Sequence, residues 1–221
     1  MDIYFQTNVY KTVDESNDSL NFTTYERSYG HLNGTITLDG KEYRVTQANG
    51  YMDHMIPTNN IKPDEGEISW TTNMHGWIWS EITTKNYQTI AYAVRSLEDG
   101  YDNYSYKHLT LLDKHTGKVL EDCYGDEITI EESNNITETE YDNRKRPETV
   151  KFITSDLNVT INASQVAVFD YSPTFNGIPV GFVDFMSHQP DGAMIEYKYN
   201  TEKRSAFYEY LVSDIVEWPI N

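Results

Sequence analysis

Apolar and polar residues alternate with a period of two along most of this chain, the spacing of a half-buried β-strand. Glu127-Ile128-Thr129-Ile130-Glu131 alternates strictly, and Val150 to Thr154, Leu157 to Ile161 and Gln165 to Asp170 follow the same rule. Thr35-Ile36-Thr37-Leu38 and Glu42-Tyr43-Arg44-Val45-Thr46 flank Asp39-Gly40. That dipeptide tolerates the positive φ angles of a tight type I′ turn, so the spacing predicts a hairpin. Further strands are predicted at Ile68 to Thr72, Trp77 to Ile82, Gln88 to Arg95, Tyr104 to Leu112, Val119-Leu120, Ile178 to Met186, Met194 to Tyr199 and Ala206 to Leu211. Only Val212 to Val216 tolerates a short helix. The polar stretch from Glu131 to Glu148 reads as a long solvated loop, with Arg144-Lys145-Arg146-Pro147 as local charge balance. Strands at such short intervals, with turn signals between them, predict an all-β sandwich or barrel.

Composition narrows the function classes. The 221 residues are 38% hydrophobic and 14% aromatic, too apolar for a disordered chain. The net charge of −18 repels phosphate backbones, so nucleic acid and anionic membranes are excluded as partners. No apolar run reaches the roughly 18 residues of a spanning helix, so no transmembrane segment is expected. The single cysteine, Cys123, forbids an internal disulfide framework. It follows Glu121-Asp122, whose charge opposes a reactive thiolate. Met1 to Thr7 has neither the basic nor the apolar region of a signal peptide and reads as an extended strand. Seven Asn-x-Ser/Thr sites, at Asn17, Asn21, Asn33, Asn103, Asn135, Asn158 and Asn162, are compatible with an extracellular or cell-surface home, while the acidic surface suits the cytoplasm equally.

The densest cluster of unusual residues is Gly50-Tyr51-Met52-Asp53-His54, then Trp70, then His75-Gly76-Trp77-Ile78-Trp79-Ser80. In a strand Trp77 and Trp79 share a face. A histidine set among aromatic rings is an acid/base group in an apolar cavity, and rings stabilise a cation formed by protonating an alkene. The structural alternative is an ordinary Asp-His pair and two core tryptophans. A metal site needs three or four converging ligands, for which His54, His75 and Asp53 are the only grouping; no metal and no cofactor is expected. A carbohydrate-binding β module is a further reading, with Trp70, Trp77 and Trp79 as stacking rings, but no carboxylate pair stands out as glycosidic.

The ordered series Gly34 to Gly40, Gly50-Tyr51-Met52-Asp53-His54, Gly76-Trp77-Ile78-Trp79-Ser80 and Tyr92-Ala93-Val94-Arg95 resembles the carotenoid 1,2-hydratase (hydroxyneurosporene synthase) superfamily of lipocalin-like proteins. The resemblance implies a calycin-type antiparallel β-barrel that binds a small hydrophobic molecule, isoprenoid or lipid-like. It implies hydratase, isomerase or cyclase chemistry, with His54 and Asp53 at the acid/base position. Tyr51, Trp70, His75, Trp77, Trp79 and Tyr92 would then line the ligand. Asp53, His75 and Glu81, in that order, are the candidates to deliver water. Met55-Ile56-Pro57 and Ile78 depart from the family pattern. Members commonly carry two lipocalin-like halves, and this chain resembles mainly the second. Residues 1–30 are therefore expected to be N-terminal strands left from a preceding domain, and 31–221 the lipocalin-like domain. The competing expectation is a binding or cell-surface module without chemistry. Oligomeric state and ligand identity are not legible in the sequence.

Overall fold

The alternation resolves into strands throughout, and no α-helix occurs among the described residues. The structure, a computed structural model, describes residues 2–9, 14–17, 22–57, 74–96, 103–171, 174–175, 178–179 and 181–213. For 2–9, 14–17, 22–29, 49, 51–57, 74, 96, 174–175 and 178–179 it describes the backbone alone.

In chain order the strands are β1 (Asp2–Val9), β2 (Asp14–Asn17), β3 (Phe22–Leu38), β4 (Lys41–Pro57), β5 (Met74–Thr83) and β6 (Tyr87–Ser96). Then come β7 (Tyr106–Asp113), β8 (Val119–Tyr124), β9 (Thr129–Glu138), β10 (Arg144–Ile153), β11 (Leu157–Asn162) and β12 (Ala167–Tyr171). The last are β13 (Thr174–Phe175), β14 (Ile178–Pro179), β15 (Phe182–Ser187), β16 (Ala193–Tyr197), β17 (Asn200–Arg204) and β18 (Ala206–Ser213). All pairings are antiparallel. β1 and β2 flank β3, which pairs along its other edge with β4. A seven-stranded sheet runs β12-β15-β18-β5-β6-β7-β8, and a five-stranded sheet runs β17-β16-β11-β10-β9.

The Asp39-Gly40 turn forms as expected. Its residues have φ of 51° and 75°, the left-handed values that a type I′ turn needs at both positions. The hairpin it closes is much longer than the sequence suggested, with β3 and β4 each 17 residues.

The expectation of a closed barrel is wrong. The seven-stranded sheet ends at β12 and β8, the five-stranded sheet ends at β17 and β9, and these edges do not pair. After β8 the chain enters a 3₁₀ turn at Gly125–Glu127, where Gly125 takes a φ of 52°. That turn redirects the backbone out of one sheet and into the other. The result is two sheets laid face to face over one core. Ile78, Ile82, Ala91, Leu109, Leu111, Phe185 and Tyr208 come from the seven-stranded sheet, and Val150, Phe152, Val159, Ile161 and Ile195 from the five-stranded one. Burial of such side chains contributes about 1.5–3 kcal/mol each.

The expected loop at 131–148 is also overturned, because β9 and β10 form a hairpin there. It turns at Asp142 and Asn143, both in the left-handed region with φ of 54° and 58°. Charges hide its period. Glu132 and Glu138 occupy inward positions of β9 and meet buried arginines. Arg146 Nε donates to Glu138 at 2.6 Å and its Nη1 donates to the Ala163 carbonyl at 2.6 Å. Arg95 Nη2 donates to Glu132 at 2.5 Å, and its Nη1 donates to Tyr210 Oη at 3.0 Å. Tyr104 also donates to Glu132, and its ring lies 4.2 Å from the Arg95 guanidinium. Burial alone would pull the Arg95 pKa down, but Tyr210, Tyr104 and Glu132 outweigh it and hold the group above its ordinary range.

The short helix expected from Val212 is replaced at its start by strand. β18 continues through Ser213, with Val212 buried opposite Val183 and Gly76; residues 214–216 lie outside the described ones. The expected strand at Ile178 to Met186 is broken, since Ile178–Pro179 pairs with β13 and the sheet strand begins at Phe182. The expected strand at 68–72 lies outside the described residues.

Candidate functional site

The side of the seven-stranded sheet that faces away from the core is buried at its centre and exposed toward its edges, at Phe169, Phe207, Tyr124 and Asp122. Register alignment shows what occupies it. One cross-strand row reads Met186, Glu209, Trp79, Tyr92, His108, Tyr124. The next reads Phe169, Asp184, Leu211, Trp77, Val94, Tyr106. A third holds Phe207, Glu81, Ile90, Thr110 and Asp122. Residues paired across antiparallel strands point to the same side, so these rows form one surface. Tyr92 and Val94 are its buried centre, with Trp77, Trp79 and Tyr106 packed around them. Trp79 meets Phe207 edge-on at 5.9 Å, and Tyr92 meets Tyr106 at 5.1 Å.

A sheet solvated on one face buries alternate residues. Here Tyr87 through Arg95 are buried without a break, the signature of a strand covered on both sides. β3 comes close to β6, so part of the β3–β4 hairpin approaches the sheet there.

Polar groups break the apolar surface, among them His108, Glu81 and Asp184. His108 Nε2 lies 3.0 Å from Asp122 Oδ1 and 2.7 Å from Thr110 Oγ1, while Thr110 donates to the same carboxylate at 3.2 Å. A carboxylate only accepts, so Nε2 carries the proton. The imidazole stacks on Tyr124 at 4.4 Å and is fully buried. Glu81 accepts from Gln88 Nε2 at 3.0 Å and from Thr83. Burial raises its pKa, and the bonds from Thr83 and Gln88 and the nearby His188 only partly offset this. Asp184 is 6% exposed, and its Oδ1 is enclosed with no hydrogen-bond partner. Burial pushes its carboxyl up to about 6.

Of the residues singled out in the sequence, the structure brings Trp77, Trp79 and Tyr92 together on this face. His75 is half-buried, beside the irregularity where β5 meets β6. Tyr51, Asp53 and His54 lie in β4, with Asp53 opposite Glu26 and His54 opposite Tyr25 on β3. Their side chains, and Trp70 entirely, lie outside the described residues. Sequence reasoning missed His108, Thr110, Asp122, Asp184 and Glu209. A signal for the first two was present: Tyr106-x-His108-x-Thr110-x-Leu112 has the period that puts all four on one side. Asp184 is the lone charge in the apolar run Phe182 to Met186.

Among the described residues no group of three or more His, Cys, Asp or Glu converges as a metal site. Cys123 is half-buried, and burial together with Glu127, Glu121 and Asp122 raises its thiol pKa, away from nucleophilic reactivity. A separate open groove of about 530 Å³, lined by Ser155, Asp156, Asn158, Glu196, Lys198 and Tyr199, contains none of the expected site residues.

No family model and no curated protein matches the chain. Solved structures do. A protein assigned as AttH from Nitrosomonas europaea is 14% identical with a TM-score of 0.53, over 98% of this chain and 58% of that one. CghA solved with Sch210972 is 11% identical with a TM-score of 0.61, over 95% of this chain and 60% of that one. CghA alone gives 11% and 0.59, over 96% and 60%. The chain therefore spans about three fifths of the length of these structures. They show a distant, full-length likeness to the lipocalin-type fold of AttH and carotenoid 1,2-hydratase-like proteins, with sheets that here stay open.

Proposed function

We propose that this protein binds a small apolar molecule between the β3–β4 hairpin and the aromatic face of the seven-stranded sheet. The observation that carries the reading is the face itself: it is aromatic, buried at its centre, and broken by a few polar groups. Ligand sites have that composition, with a mainly apolar lining and sparse, fixed hydrogen-bonding groups. Ordinary packing does not call for a paired histidine and an unpartnered carboxylate on a sheet's second face. CghA, of similar fold, is solved with the small molecule Sch210972, which supports the reading by analogy of fold.

Chemistry on an isoprenoid, whether hydration, isomerisation or cyclisation, is the finer version of this proposal. It assigns proton donation to His54 with Asp53 beside it, and ligand contact to Tyr51, Trp70, His75, Trp77, Trp79 and Tyr92. Titration with all-trans-retinol, followed by quenching of tryptophan fluorescence, tests the binding claim. Trp77→Ala is expected to weaken retinol about tenfold, roughly 1.4 kcal/mol, at an unchanged far-ultraviolet spectrum. Equal affinity in the variant, or no binding to the wild type, rejects the site. His54→Ala separates the two versions, because a binder keeps its affinity whereas a catalyst loses turnover of any substrate found.

A further inference from the structure

Carboxylates outnumber the basic groups on the aromatic face. Among the described residues of its seven strands this face carries Asp184, Glu209, Glu81 and Asp122, with His108, and no lysine or arginine. The cations nearest in sequence point elsewhere: Arg95 is bound to Glu132 and Tyr210, and Lys107 Nζ donates to the Ile128 carbonyl. Anion-binding lipid sites need such cations, because a buried carboxylate without a counter-charge is strongly unfavourable.

Asp184 is the group of this set that sits deepest without a partner. It lies on β15 between Phe169 of β12 and Leu211 of β18, two strands from Trp77 with β18 between them. On the flanking strands the titratable neighbours are Glu209, diagonally on the same face, and Asp170, beside Phe169 on β12. Neither is a cation, and no hydrogen bond reaches Oδ1. A carboxyl in these surroundings is favoured in its neutral form, in which it gains an O–H donor. Buried polar groups are normally paired, so one left open is a place where a ligand supplies the partner.

We propose, building on the binding role above, that the ligand is an uncharged apolar molecule bearing an oxygen acceptor, that neutral Asp184 donates a hydrogen bond to that oxygen, and that the acidic face rejects carboxylates of the same skeleton. Retinal and retinoic acid provide the test, since they share a skeleton and differ in charge. Retinal is expected to bind the wild type at least tenfold more tightly than retinoate at pH 8. Its affinity is expected to fall severalfold between pH 5 and pH 8, as Asp184 ionises. Asp184→Asn keeps a donor of the same shape without the charge, so the fall is expected to vanish in that variant. Retinoate binding as tightly as retinal overturns the inference and leaves the binding role standing, as does a pH profile for Asp184→Asn that matches the wild type. If neither retinoid binds, the binding role fails and the inference with it.

Discussion

Asp184 costs this fold stability at neutral pH. Its carboxyl titrates near 6 when folded, against about 3.9 in an unfolded chain. Between those values the folded state holds more protons than the unfolded state, so stability falls as pH rises through the window and stays lower above it. The penalty approaches about 3 kcal/mol at pH 7. Asp184→Asn is therefore expected to be more stable than the wild type in urea denaturation at pH 7.5, with the advantage gone by pH 4. A variant less stable at both pH values would show that the carboxylate is satisfied in the native state. Arg95 is the opposite case, a buried charge with a carboxylate counter-charge. Glu132→Ala removes the carboxylate on which Arg95 and Tyr104 converge. Removing one partner of a buried pair typically costs about 3–5 kcal/mol, and a loss of that size is expected in the same denaturation experiment.

At the scale of elements, the strand carrying the two tryptophans depends on one glycine. A Cβ on Gly76 would lie 2.1 Å from the Leu211 carbonyl oxygen, a backbone atom of the paired strand β18. Gly76→Ala must therefore push β5 and β18 apart. It is expected to lower the melting temperature by several degrees and to weaken retinol binding, since Trp77 is the next residue. An unchanged melting temperature would mean that the two strands are less closely apposed than described. Much of this organisation was legible in the sequence. Strand-like apolar patterns located β5, β6, β7, β11, β18 and the second half of β10, and Asp39-Gly40 fixed the turn of the β3–β4 hairpin. The β9–β10 hairpin escaped because Glu132 and Glu138 stand where a hydrophobic pattern requires apolar residues. Their arginine partners, Arg95 and Arg146, are distant or opposite in the chain, and pairing of that kind is invisible to local periodicity. Asp142-Asn143, a turn signal of the same chemistry as Asp39-Gly40, was masked by the polar run around it. The face shared by Trp77 and Trp79 followed from alternation. That His108, Asp122 and Asp184 join it depends on the register of five further strands, which no local pattern specifies.

At the scale of the molecule, the seven-stranded sheet has two interiors. One is an apolar core shared with the five-stranded sheet, and the other is the aromatic face that β3 approaches at β6. A closed barrel would offer one cavity inside the ring of strands. The sheets are open and the inner space is filled by Phe152, Phe185 and Tyr208, so the proposed ligand site lies on the outer face instead. The location of the ligand is thus the claim on which the account stands. Photolabelling with a diazirine-bearing isoprenoid, followed by mass spectrometry of the digested protein, reads that location directly. Labels are expected on the peptides that hold Trp77, Trp79, Tyr92 and Tyr106, and competition by unlabelled retinol is expected to remove them. Competable labelling of Phe152 and Val159, or of the groove at Ser155 and Tyr199, with none on the tryptophan strand, would contradict it.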